Sequence, residues 1–312
     1  MNVLVLGGDG FIGSHTVDKL YKQGHNVTVF DRFPYNQSIN LEHLRGKITF
    51  FQGEYANREQ IALALKFQDV IYHFISATNP ATSWDDPFLE IEVNLKNSVQ
   101  LFEIAAQSGV KKIVFPSSGG AIYGRKSGVL DENKLPLPFS PYGITKLSIE
   151  YFLNYFKEKT GLSYDIYRIG NPYGPRQPME TPQGVIAVWM GKILVDEEIS
   201  VYGDDETVRD YVYIDDVAYL LTHSMNNLES SDTYNLGVGK GLSVIELLEI
   251  FIGSIDRPFK SRVLARRSFD NSSVVLNSTK LISHFPGFKF QELKEKITDT
   301  WDYVKKHNKK TK

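Results

Sequence analysis

The chain of 312 residues contains no cysteine, so disulfide and thiolate chemistry are both excluded, and a reducing compartment fits that composition. It also lacks an excess of either charge. Lys and Arg number 35 against 37 Asp and Glu, a formal net charge of -2. No chain-wide positive field recruits nucleic acid or an acidic membrane, and neither is an expected partner. Long apolar runs are missing too. The N-terminus, MNVLVLGGDG, has no basic leader, and its short apolar stretch reads as a buried strand rather than a signal peptide or a membrane span. A cytoplasmic location follows as the expectation, and no metal is expected. The sequence shows no repeat and no low-complexity tract, and the lysine-rich end at 305–312 reads as a solvated tail.

What is present is a globular composition, 42% apolar and 23% charged, in a chain longer than one small core needs. Strand-like and helix-like segments alternate through the first half. Asn2–Leu6, Asn26–Phe30, Ile48–Gln52, Val70–Phe74 and Lys112–Pro116 read as strands. Phe11–Gln23, Arg58–Phe67 and Asn94–Ser108 read as helices between them. Strands separated by helices pair in parallel through right-handed crossovers, which predicts a doubly wound α/β sheet. After about Arg168 the pattern loosens, with Pro172, Pro175, Pro178 and Pro182 in quick succession. A helix near Val185–Leu194, strands near Ile199–Tyr202 and Thr233–Leu236, and a helix at Ser243–Ile252 follow. They suggest a smaller α+β part, interleaved in sequence with the first. The expected division is 1–170 with 212–240 for a dinucleotide, and 171–211 with 241–312 for a substrate.

Gly7-Gly8-Asp9-Gly10-Phe11-Ile12-Gly13 joins the first strand to the first helix. Glycines at 7, 10 and 13 allow a tight turn, close backbone approach and close helix packing. The helix start at Phe11 and Ile12 then presents free N–H groups and a positive dipole end to a pyrophosphate. Asp31 ends the second strand, 18 residues beyond Gly13. There it accepts hydrogen bonds from the ribose hydroxyls of an adenosine, and its charge opposes a 2′-phosphate. NAD is therefore favoured over NADP, although Arg32 offers a guanidinium that would pair with such a phosphate.

Tyr142-Gly-Ile-Thr-Lys146 follows Pro141 at a helix start, and a spacing of four puts Tyr142 and Lys146 on one helix face. A free tyrosine, with a pKa of about 10, is a poor base at neutral pH. A cation ~5 Å away offers about 3 kcal/mol toward the phenolate at an effective dielectric near 20. Lys146 and an oxidised nicotinamide ring together suffice to make Tyr142 a base. Y-x-x-x-K alone is no more than an amphipathic helix; with the glycine turn upstream it reads as a catalytic pair.

Together these motifs resemble the extended short-chain dehydrogenase/reductases, and especially the UDP-glucose 4-epimerase group, over nearly the whole chain. Asp69-Val-Ile-Tyr-His73, Asn171-Pro-Tyr-Gly-Pro-Arg-Gln177, Tyr202-Gly-Asp204, Arg209-Asp210-Tyr-Val-Tyr-Ile-Asp-Asp216, Tyr234-Asn-Leu-Gly237 and Arg267-Ser-Phe-Asp270 fall in the family's order. The resemblance implies a Rossmann-type sheet, NAD as cofactor and a nucleotide-sugar substrate. It makes Tyr142 the base and has Lys146 hold the nicotinamide ribose. It assigns Asn171, Arg209 and Arg267 to the diphosphate region of the substrate, a task that suits the guanidinium fork. It also implies a homodimer through the helices at 94–108 and 142–157, with Leu101, Ile104, Leu147, Ile149 and Phe152 in need of burial.

The sequence departs from that pattern at Ser117-Ser118-Gly119-Gly120-Ala121-Ile122-Tyr123. The family usually places a hydroxyl four residues before this tyrosine, where Gly119 stands; Ser118 is taken as the catalytic hydroxyl, with Ser117 as the alternative. Family dehydratases and decarboxylases carry acidic residues where this chain has Gly120 and Ala121, which cannot transfer a proton. Hydride transfer at a carbinol without elimination remains. The leading expectation is a 4-epimerase of a UDP-hexose, acting through a transient 4-keto sugar. The alternatives are an NAD(P)H-dependent 4-keto reductase of a dTDP- or GDP-deoxysugar and a non-catalytic dinucleotide sensor. By family analogy Val274, four residues after Asp270, lies near the sugar's C2 substituent, and its small size leaves room for an N-acetyl group.

Overall fold

The structure, a computed structural model, describes residues 1–33, 37–181, 183–266 and 273–307. The strands in chain order are β1 (Asn2–Leu6), β2 (Asn26–Asp31), β3 (Thr49–Gln52), β4 (Val70–His73), β5 (Lys112–Ser118), β6 (Val129–Leu130), β7 (Ser163–Ile169) and β8 (Asn171–Tyr173). They continue as β9 (Ile199–Tyr202), β10 (Val208–Arg209), β11 (Tyr211–Tyr213), β12 (Asp232–Leu236), β13 (Leu242–Ser243), β14 (Ser261–Leu264) and β15 (Ser273–Leu276).

Seven strands form one parallel sheet in the order β12-β7-β5-β4-β1-β2-β3. The order reverses between β1 and β4, and ligands of such sheets bind outside the carboxyl ends of the strands at that switch point. Alternation along β1 sends Val3 and Val5 to one core and Leu4 and Leu6 to the other. On one face lie the helices Arg58–Ala64, Lys96–Gln107 and Pro141–Thr160, with Ile61, Phe102 and Leu153 in that core. On the other lie Phe11–Lys22 and Ile214–Leu221, through Val17, Leu20, Val217 and Leu221. Covering both faces explains why the strands read as continuous apolar runs.

The remaining strands form smaller sheets, one in the order β13-β10-β15-β6, with β8 pairing β11 and β9 pairing β14. Three helices, Val185–Leu194, Val244–Ser254 and Leu293–His307, pack with them around Trp189, Phe251 and Trp301. The chain crosses between the two parts repeatedly: β6 joins the small sheet, and β12 returns to the large one.

Two elements differ from their sequence pattern. β5 runs past Pro116, because Ser117 and Ser118 still lie in register with Arg168 and Ile169 of β7. The helix expected from Asn94 becomes regular only at Lys96, after a π-helical stretch at Glu90–Leu95. Such wide turns are frequent at functional sites.

Candidate active site

A cavity of about 850 Å³ opens at the carboxyl ends of β1, β4, β5 and β7. Its walls bring together the glycine turn, the loop after β4, the end of β5, the start of the helix Pro141–Thr160 and the β8–β11 region. Gly7, Gly10, Phe11, Ile12 and Gly13 all line it. Gly7 has φ +74°, and a Cβ on Gly13 would come within 2.3 Å of the Gly7 carbonyl oxygen. The helix start has no side-chain cap and no acidic residue in its first turn, leaving its N–H groups to a ligand. Asp31 lies beyond the cavity walls at the end of β2. Its Oδ2 accepts from the Asp9 N–H at 3.0 Å and its Oδ1 from the Arg32 N–H at 2.8 Å. Burial raises its carboxyl pKa, and those two backbone hydrogen bonds work against the rise.

The helix carrying Tyr142 and Lys146 is fixed at both ends. The Ser140 hydroxyl accepts from the Gly143 N–H at 3.1 Å, Pro141 stands in the first turn, and Gly161 closes the helix at φ +80°. Lys146 Nζ donates to the Pro116 carbonyl at 3.1 Å and sits 4.6 Å from the Phe115 ring centre and 5.6 Å from that of Tyr142. Burial pulls Lys146 down to about 8, opposed by the carboxylates of Glu90 and Glu150. Burial and the Glu90 carboxylate push the Tyr142 phenol above its ordinary value, and a hydrogen bond with Ser118 opposes them. The protein alone therefore holds Tyr142 neutral. Glu90, only 1% exposed and bonded to Thr78 and Asn94, had no signature in the sequence.

Both serines of the pair lie on the cavity wall. Ser118 meets the phenol of Tyr142. Ser117 is also on the wall, and its Oγ is buried without a partner. A Cβ at Gly119 would meet the Leu276 side chain at 2.5 Å, so a hydroxyl where the family usually places one would require Leu276 to shift.

Asn171 and Arg209 line the same cavity. Asn171 Nδ2 donates to the Asp210 carbonyl at 3.4 Å, and Arg209 Nη1 to that of Val208 at 2.9 Å. Lys192, which sequence reasoning missed, and Tyr202, which it named only within a motif, share this wall. Arg267 and Asp270 lie outside the described residues. Val274 does not lie where the family analogy put it. It is 2% exposed and packs in a small apolar cluster with Ile122, Tyr123, Leu130 and Leu276, not on the cavity wall. It is core, and its small size leaves no extra room in the cavity for a C2 N-acetyl group. Among the described residues there is no cluster of three or more metal-ligating side chains.

The family model for the NAD dependent epimerase/dehydratase family matches residues 3–237. The chain belongs to this family. A UDP-glucose 4-epimerase of Mycolicibacterium smegmatis is 31% identical over 262 residues, 83% of this chain and 84% of that one. A UDP-glucose 4-epimerase of Halalkalibacterium halodurans is 30% identical over 332 residues, 98% of this chain and 96% of the relative. Among solved structures, a Thermotoga maritima UDP-glucose 4-epimerase with UDP-glucose aligns at TM-score 0.88 and 34% identity, covering 98% of this chain and 99% of the other. A Thermus thermophilus UDP-glucose 4-epimerase in complex with NAD aligns at TM-score 0.89 and 32% identity over the same shares. The cofactor of this family member is NAD. The residues present fit it: only glycine is tolerated at 13, the helix start leaves N–H groups open to a pyrophosphate, and Asp31 ends β2 beside the turn with its carboxylate bonded to the Asp9 N–H.

Proposed function

We propose that the chain is an NAD-dependent nucleotide-sugar 4-epimerase of the UDP-hexose class, working through a transient 4-keto sugar. The observation that carries this reading is the set Ser118, Tyr142 and Lys146 on one cavity wall, with Gly120 and Ala121 beside it. Ser118 and Tyr142 meet through their hydroxyls, which suits proton transfer at one sugar oxygen. Gly120 and Ala121 offer no group to protonate or deprotonate a sugar carbon, so elimination has no acid or base at that position. Bound NAD supplies a reversible hydride acceptor and, when oxidised, a positive ring that favours the Tyr142 phenolate. Tyr142 Oη takes the proton of the 4-hydroxyl and later returns it. Ser118 holds the same oxygen, and Lys146 holds the nicotinamide ribose. Asn171, Arg209 and Arg267 anchor the diphosphate while the sugar turns over.

In this reading residues 1–170 with 212–240 hold the dinucleotide, and 171–211 with 241–312 hold the sugar nucleotide. The seven-stranded sheet, drawn from 2–169 and 232–236, supports that division. We place the enzyme in the cytoplasm as a homodimer; among the described residues no helix is long and apolar enough to cross a membrane. The test is incubation of purified protein with UDP-galactose, with UDP-N-acetylgalactosamine, and with a 4-keto deoxysugar nucleotide plus NADH. Interconversion of a UDP-hexose with no net consumption of cofactor supports the proposal. Stoichiometric NADH oxidation with the keto substrate alone overturns it in favour of a reductase.

A further inference from the structure

Asp9 stands inside the glycine turn, and the chemistry above does not use its side chain. It is 8% exposed, yet its carboxylate is fully engaged. Oδ1 accepts from the Ser38 hydroxyl at 2.5 Å and from the Asn40 N–H at 3.0 Å, and Oδ2 accepts from the Ile39 N–H at 2.7 Å. Its backbone is tied as well. The Asp9 carbonyl accepts from Asn40 Nδ2 at 2.6 Å, and the Asp9 N–H donates to Asp31 Oδ2 at 3.0 Å.

Two consecutive backbone N–H groups and a hydroxyl converging on one point form an anion-binding nest. The loop bearing this nest follows β2, beside the carboxylate that meets the adenosine ribose. A phosphate on the ribose 2′-oxygen would seek such donors there, with the adjacent Arg32 as a ready cation. In this chain the donors are already taken by an anion of the protein's own.

We infer that Asp9 is a specificity-determining residue for the cofactor: its carboxylate fills the nest of Ser38, Ile39 and Asn40 that would otherwise receive the 2′-phosphate of NADP, and sets a second negative charge beside Asp31. This rests on the glycine turn holding a dinucleotide. At Asp31 burial raises the carboxyl pKa, the Arg32 and Asp9 N–H groups lower it, and the charge of Asp9 adds a smaller rise. The same arrangement answers the ambiguity that Arg32 creates in the sequence. Arg32 supplies a cation, but the hydrogen bonds that would complete a phosphate site are occupied.

The experiment equilibrates the full-length protein with equimolar NAD and NADP, removes free nucleotide by gel filtration and quantifies the released cofactor by chromatography. Wild type is compared with Asp9→Ser, which frees the nest, and with Asp9→Asn, which keeps the side-chain size and removes the charge. Bound NADP relative to NAD is expected to rise by about tenfold or more in Asp9→Ser, which opens the donors and removes a unit charge from the place the phosphate would take. A smaller rise in the same direction is expected for Asp9→Asn. An unchanged ratio in both variants overturns the inference, as does loss of both cofactors in parallel, which marks Asp9 as a structural strut only. Should Asp9→Ser fail to fold, the ratio in Asp9→Asn decides alone. A wild-type protein that retains neither nucleotide refutes the dinucleotide reading itself and not the role of Asp9 within it.

Discussion

Lys146 meets two opposed demands, burial beside Tyr142 and retention of a charge. Its pKa is about 8 in the fold, against roughly 10.5 for a free lysine. Below pH 8 both folded and unfolded chains carry the proton, and the fold bears the full cost of burying it. Between those values the unfolded chain binds the proton and the folded one does not, so stability rises with pH in that window. Lys146→Met should therefore melt at a higher temperature than wild type at pH 7, with an advantage that shrinks toward pH 10.5. Thermal melts without added cofactor at the two pH values measure this, and a constant advantage contradicts it. Tyr142→Phe should fold and bind NAD yet lose about 10²–10⁴-fold in turnover, the usual weight of a general base. Activity within about tenfold of wild type removes Tyr142 from that role. At this scale the placement of residues on the cavity was legible where a motif fixes a helix face or a turn, as for Tyr142, Lys146 and Gly13. It was not legible at Val274, because counting from Asp270 gives a position along a strand but not what the side chain packs against. Glu90 was hidden for a related reason: its charge acts on Tyr142 and Lys146 from a π-helical turn that no regular periodicity announces.

The helix Pro141–Thr160 owes its placement partly to a buried ion pair. Arg168 on β7 donates to both Glu150 oxygens, at 2.7 Å from Nη2 to Oε2 and 3.3 Å from Nε, and its Nη1 reaches the Tyr123 hydroxyl at 3.0 Å. Tyr123 in turn donates to Asn235 of β12 at 2.7 Å, so the network ties the helix bearing Tyr142 and Lys146 to the sheet. Removing one member of a buried pair leaves an uncompensated charge, at a cost of about 3–5 kcal/mol, whereas replacing both with apolar side chains is often near neutral. Arg168 is 7% exposed and Glu150 5%. Glu150→Gln is expected to destabilise by roughly that 3–5 kcal/mol. The double variant Glu150→Met with Arg168→Met should recover most of the loss. Urea unfolding of the two proteins distinguishes this from simple additivity, in which the double variant is the worse. The long strands and helices were legible because their apolar runs and caps are local. The two- and three-residue strands β6, β8, β10, β11 and β13 were not, since each exists only through a partner distant in sequence, as β6 does through β15.

The assembled molecule presents an unusual helix face. Of the residues thought to need burial between subunits, Leu101, Ile104 and Ile149 are 5% exposed or less and belong to the core beside the large sheet. Burial of the monomer core thus accounts for them, and they say nothing about a partner. The helix Pro141–Thr160 nevertheless leaves Ile144 51%, Tyr151 62% and Tyr155 48% exposed. These lie seven and eleven residues apart, on one stripe of the helix. Lys96–Gln107 packs alongside, so two such surfaces related by a two-fold axis would meet as four helices. Aromatic side chains with apolar bodies and polar tips are what such interfaces favour, and a stripe of them exposed on a monomer is a poor match to water. The expected mass in solution is that of a dimer at micromolar concentration, measured by light scattering. Tyr151→Glu with Tyr155→Glu places four added charges across a two-fold contact and should yield a folded monomer. A wild-type monomer, or a double variant that stays dimeric, places the subunit contact elsewhere and leaves the stripe of Ile144, Tyr151 and Tyr155 to solvent.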